Sequence, residues 1–230
     1  MSYGISSINS SGFTQIDGTY DNLSVFASGT ATAGTTNTYY PVAFPANTPS
    51  SYVIFAKPST ESGDHLVWFS EFTNVTTYAS FVFGLDYGAT SNISVDWVLA
   101  IKSSDMPANN SGDYGLEVNK TNGDQAFSSN NGNFRCQQVA FDNFTSVGAT
   151  GTIFSLTSMA GVYSIMSGKS FVGRQTVGSQ PQTSAVWALH SRWDYTNRTI
   201  RAQNAVIAIV GSYGVTYGGG FRTNLIGTFT

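Results

Sequence analysis

Apolar residues in this chain recur with a period of two, in short runs that stop at Gly, Pro, Asn or Ser. In the segment ISVDWVLAI, Ile93, Val95, Trp97, Leu99 and Ile101 share one face of an extended strand, and Asp96 begins the other. SYVIFAK, HLVWFSEF, YASFVFGL, SAVWALHS and NAVIAIVG follow the same rule and are rich in β-branched and aromatic residues. No segment carries an i, i+3, i+4 stripe with helix caps. Many short strands between turn signals imply an all-β protein of the sandwich or barrel type.

Composition narrows the reading. Charged residues are 10% of the 230 positions while aromatics are 14%, so the surface is built from hydroxyls, amides and backbone around an ample core. The net charge is −3 and no run of Lys or Arg occurs, which argues against nucleic acid as a partner. No apolar stretch has the length of a membrane-spanning helix, and the first residues, MSYGISSINSSG, lack the pattern of a secretory signal. Cys136 is the sole cysteine, so no intrachain disulfide forms, in keeping with a reducing cytosol. The N-x-S/T sequons at Asn22, Asn74 and Asn143 then read as by-products of composition.

The chain resembles itself. YGISSINSSGFTQI starts at Tyr3 and YGLEVNKTNGDQAF at Tyr114, a spacing of 114 − 3 = 111 that also sets Asn22 and Leu23 on Asn133 and Phe134. A second match sets Asp86, Tyr87 and Asp96 to Ile101 on Asp194, Tyr195 and Asn204 to Ile209, at a spacing of 194 − 86 = 108. These matches imply a diverged tandem duplication: two tandem β-sandwich, jelly-roll-like domains over residues 1–108 and 112–230. The Ser-, Asn- and Pro-rich segment 103–113 lies between them. Each copy opens on a β-hairpin; in the second, Tyr114, Leu116 and Val118 alternate before the turn at Thr121, Asn122 and Gly123.

The residues Tyr114, Gly115, Leu116, Val118, Gly123, Phe127 and Ser128 resemble a hairpin element of tailed-bacteriophage tail proteins. Tyr3, Gly4, Ile5, Asn9, Gly12, Ile16 and Asp17 resemble it more loosely, with Ser7 in place of the Val and Ile16 in place of the aromatic. The resemblance covers about sixteen residues per copy. It implies a virion protein of the tail tip, baseplate or fibre, assembled in the host cytoplasm, and brings no catalytic residues with it.

Candidate chemistry is sparse. His190, Ser191 and Asp194 are close in sequence, but alternation puts His190 and Ser191 on opposite faces of a strand, and no nucleophile elbow is present. Asp64 and His65 in SGDH lack further metal ligands at suitable spacing. The pairs Asp17/Asp21 and Glu61/Asp64 sit in turn-like sequence, where structural roles outweigh calcium binding or glycoside hydrolysis. The run Gly218, Gly219 and Gly220 lacks the Lys-Ser/Thr of a phosphate-binding loop. Trp97 and Trp187 are flanked by apolar residues and read as core, whereas Trp193, Tyr39 and Tyr40 read as exposed candidates for glycan or surface contact. Lys57 and Lys102 are the only cations of the first half, while arginines crowd the second, so the halves are expected to face different neighbours.

The expectation is therefore a non-enzymatic structural virion protein without metal or cofactor. It would assemble as a homo-oligomer with other virion proteins, without nucleic acid or membrane insertion. The alternatives are a capsid decoration or head-fibre protein, and a glycan-binding receptor-recognition module.

Overall fold

The computed structural model describes residues 6–8, 14–17, 22–34, 41–74, 78–85, 88–107, 115–144, 150–166, 172–176, 183–211 and 220–229. The architecture is all-β, as the period of two demands. Strands β1 (Ser6–Ile8) and β2 (Thr14–Asp17) form one hairpin, and β9 (Glu117–Asn119) and β10 (Gln125–Ser128) form another. The first half continues with β3 (Leu23–Gly34), β4 (Val42–Ala43), β5 (Val53–Pro58), β6 (Asp64–Asn74), β7 (Tyr78–Leu85) and β8 (Ile93–Lys102). A 3-10 turn, Ser103–Asp105, leads out of it. The second half contains β11 (Phe134–Phe144), β12 (Phe154–Ser155), β13 (Tyr163–Met166), β14 (Val172–Thr176), β15 (Thr183–Asp194), β16 (Thr199–Gly211) and β17 (Gly220–Phe229).

Two tandem sandwiches are not seen among the described residues. Among the described residues the long strands make one nearly closed 13-stranded sheet, in the order β11-β17-β13-β5-β8-β3-β7-β6-β15-β16-β12, with β14 on β15 and β4 on β7. The first half is contiguous within it, from β5 to β6. The second half flanks it on both sides through the pairings β13–β5 and β15–β6. One main core serves both halves, with Ile54, Phe69, Phe83, Trp97 and Leu99 packed together with Phe154, Trp193, Ile200 and Ile226. A unit with its own core would need its own apolar interior, and here the interior is shared.

The repeat is nevertheless written into the ladders. In the first hairpin Ser6, Ser7 and Ile8 face Asp17, Ile16 and Thr14; 111 residues later Glu117, Val118 and Asn119 face Ser128, Phe127 and Gln125, with the same skipped residue. The ladder β3–β8 is interrupted between Val25 and Ala27, and β11–β17 between Cys136 and Gln138, again 111 residues on. Ala100 faces both Val25 and Val53, and Gly227 faces both Cys136 and Tyr163, so β17 stands where β8 stands in the first copy. This corrects the second sequence match, which put β8 on β16: β16 pairs with β15 and β12 instead. Similar runs of Val, Ala and Ile suit strands in general, so the match followed strand propensity rather than the repeat.

The bulges have a packing consequence. An extra residue reverses which face the following side chains occupy. Leu23 and Val25 therefore pack on a small cluster of Phe55, Val98 and Ala100, whereas Ala27, Ala31 and Ala33 join the main core on the opposite face. In the second copy Phe134 joins the small cluster and Ala140 the main core. That small cluster is two-fold in plan. Phe55 and Ile165 face each other, with Ala56↔Ser164 and Ile54↔Met166 on either side, and Val53 and Phe55 recur as Tyr163 and Ile165.

Candidate functional site

The strongest concentration of charge among the described side chains lies on the outer face of β5 and β8. Lys57 is the one charge of β5, and Asp96 lies within the apolar run of β8, whose other charge, Lys102, ends the strand; the register sets Lys57 and Asp96 side by side. Lys57 Nζ lies 3.1 Å from Asp96 Oδ2 and 3.0 Å from Glu61 Oε1. Asp96 Oδ1 accepts hydrogen bonds from Ser59 Oγ at 2.6 Å and Thr30 Oγ1 at 3.0 Å. Glu61 Oε1 also accepts the Gly161 N–H at 3.1 Å, which ties the first half to the loop before β13. The Lys57 ammonium sits 5.8 Å from the centre of the Tyr163 ring.

Burial alone would push Lys57 down, but hydrogen bonds to Glu61 and Asp96 outweigh it and hold the ammonium above its ordinary range. Burial likewise opposes ionisation of Glu61 and Asp96. The Gly161 N–H and Lys57 overcome it for Glu61, and Ser59, Lys57 and Thr30 do so for Asp96, so both carboxyls stay below the usual carboxylate range. All three groups are ionised at pH 7, and the one ammonium offsets one of the two carboxylate charges. The arrangement is a clamp. It binds β3, β5, β8 and the loop before β13 together.

Beside the clamp is a shallow polar pocket lined by Glu61, Thr157, Ser158, Met159, Tyr195 and Arg198. Arg198 Nη1 donates to Thr157 O at 3.4 Å. Burial pushes the Tyr195 hydroxyl far up, so it stays protonated.

The structure separates the candidate residues read from sequence. Trp193 is not exposed: it is fully buried in the main core, which removes it as a surface contact. Its neighbours Arg192 and Asp194 point the other way and give the segment its polar look, while β15 turns Trp193 and Ser191 inward. Tyr39 and Tyr40 lie outside the described residues, as does Asp21. Trp97 is core, as its apolar flanks imply. Ser191 Oγ is buried against Ser164 Oγ at 3.1 Å. Asp194 holds the turn after β15 through Asn197, whose side-chain amide donates at 2.7 Å and backbone at 2.9 Å; these bonds hold its carboxyl low.

Glu61 and Asp64 do not share a site. Glu61 belongs to the clamp, whereas Asp64 is gripped through both oxygens by the Arg192 guanidinium. Gly63 between them has φ of 79°, the left-handed region that glycine adopts without strain. His65 Nε2 is 2.7 Å from Ser62 O in the same turn. The Asp64–Arg192 pair also shows first-half acid and second-half arginine meeting within one chain.

On the far side of the same outer face the chemistry inverts. Phe141 on β11 is 79% exposed and Val139 is 46% exposed. The rung Phe141↔Thr223 is the second-copy equivalent of Thr30↔Asp96, and Val139 matches Ser28. Sequence reasoning did not single out Lys57, Asp96 or Phe141 as parts of a site. The signal for the first two was a charge set within each of two apolar runs. The signal for Phe141 was its alignment with Thr30 at the spacing of 111.

No family model, curated protein or solved structure matches the chain.

Proposed function

We propose that the chain is a structural virion protein of a tailed bacteriophage, an assembly component of the tail tip, baseplate or fibre. It arose by tandem duplication of a hairpin followed by a bulged long strand. The observation that supports this reading is that two copies of one unit already join edge to edge, through β5 and β13, into a larger sheet. A chain that builds itself by adding strands across a two-fold plan is suited to further growth by the same means. Its low charge reduces the desolvation cost of burying such surfaces against neighbours. The hairpin that resembles tail proteins, Tyr114 to Ser128, occupies the start of the second unit, and the first unit opens on a hairpin of the same register.

The test is antibody labelling of purified phage particles, viewed by negative-stain microscopy. Labelling at the tail is expected. Labelling of the head would replace the tail assignment with capsid decoration, and unlabelled particles that also lack the chain by mass spectrometry would overturn the virion reading.

A further inference from the structure

Strand β11 ends the large sheet. It pairs with β17 from Phe134 to Phe144, and among the described residues its other edge carries no strand; Asn133, just before it, bridges to Ser24, and the Gln138 amide donates to Ser155 O of β12 at 3.3 Å. Its counterpart β3 has that edge closed by parallel pairing with β7 at Ala33↔Phe83 and Gly34↔Gly84. An edge of eleven residues, FRCQQVAFDNF, contains neither Lys nor Pro, which commonly protect such edges.

We propose that β11 is a self-association edge. A second copy of this chain adds its own β11 antiparallel to it, across a two-fold axis at Val139. The occupant follows from charge complementarity. The bulged Gln137 is skipped in the ladder with β17, and skipping it again on the free edge keeps the faces in phase. With the axis at Val139, Gln138 lies opposite Ala140 of the second copy, Cys136 opposite its Phe141, and Arg135 opposite its Asp142. The last pairing occurs twice by symmetry and sets opposite charges on one face. Moving the axis by one residue either way sets Arg135 opposite an uncharged residue.

Both partners are placed for this. Arg135 is exposed, and Asp142 is held at the surface by Thr152, whose N–H and hydroxyl each donate to Oδ1 at 2.8 Å. On the other face the exposed Phe141 and Val139 gain apolar neighbours from the second copy, which removes the mismatch with Thr30 and Ser28. The chain itself already shows this mode at Phe55↔Ile165, where two copies of one unit pair antiparallel about a two-fold. The inference deepens the assembly reading but can fail independently of it, because the isolated chain is measured here and the particle is measured above.

The experiment is light scattering coupled to size exclusion and analytical ultracentrifugation on the full chain. Concentrations run up to about 100 μM, enough to populate any dimer of micromolar Kd. A closed dimer is expected. Arg135→Asp and Asp142→Arg should each raise the dimer Kd by about tenfold or more, and the double reversal should return it to within about threefold of the parent. Circular dichroism melts identify a variant that fails to fold. As a fold-neutral check, Val139→Cys in a Cys136→Ser background should form a covalent dimer under mild oxidation that thiol reverses, since the axis sets the two positions face to face. A monomeric parent overturns the proposal, as do open-ended oligomers, a double reversal that fails to restore the dimer, or a Val139→Cys variant that stays uncrosslinked while dimeric.

Discussion

Thr30 and Phe141 occupy the same rung of two copies of one ladder, and they have opposite fates. On the first-half side, Thr30 donates to Asp96, which with Ser59, Lys57 and Glu61 makes an internally hydrogen-bonded polar surface. On the second-half side the rung holds an exposed phenylalanine opposite Thr223. The backbone register matches at a spacing of 111 residues while these outward side chains differ. The small apolar cluster on the same face follows a different rule, in which large and small residues are matched. The Phe134 ring packs beside Gly227, where a Cβ would strike that ring and the Arg135 carbonyl.

The comparison can be broken in order of expected effect. Phe55→Ala empties the cluster on which both copies converge and should cost about 3–5 kcal/mol in denaturant unfolding. Calorimetry should still show a single transition, because the main core is shared; two transitions would restore the picture of independent domains. Gly227→Ala should cost about 1–3 kcal/mol through overpacking, and Phe134→Leu added to it should recover only part of that loss, because the Arg135 carbonyl stands nearest to the new methyl and no change at position 134 removes it.

Asp96→Ala removes the shared acceptor of Lys57, Ser59 and Thr30 and should cost about 1–3 kcal/mol. The clamp also fixes a pH dependence. Glu61 and Asp96 have folded pKa values below their ordinary 4.5 and 3.8, so their contribution is present above those values and is lost as pH falls through the folded ones. Lys57, raised above 10.5, loses its contribution only as pH rises beyond that value. The melting temperature should therefore drop on acidification below about pH 4.5, and less steeply in Asp96→Asn. Phe141→Thr, which copies the first half, should change monomer stability by no more than about 0.5 kcal/mol and register only in self-association.

Much of the fold was legible from alternation, since Ile93 to Ile101 and similar runs could only be strands. The spacing of 111 was legible because the Tyr-Gly starts and the turn glycines of the two hairpin segments match directly in the sequence. Sharing of a single core was not legible: strand edges look alike in sequence, and nothing in SYVIF states that its partner is YSIM. Trp193 was misread because a buried strand with polar flanks looks like an exposed one. The clamp needed register, which sets Lys57 beside Asp96 although they stand 96 − 57 = 39 positions apart in the chain.

The order of strands also sets an order of events during synthesis. The first unit can close its own ladder from β5 through β8, β3 and β7 to β6 as soon as residue 102 has emerged. The second cannot, because β11 waits for β17, which follows every other strand of the second half. Until then the finished first unit presents β5 and β6 as open edges, a template on which β13 and β15 are laid down. A ribosome stalled late in this message would hold a nascent chain with two bare edges, and any second copy nearby would compete for them with the chain's own unfinished half.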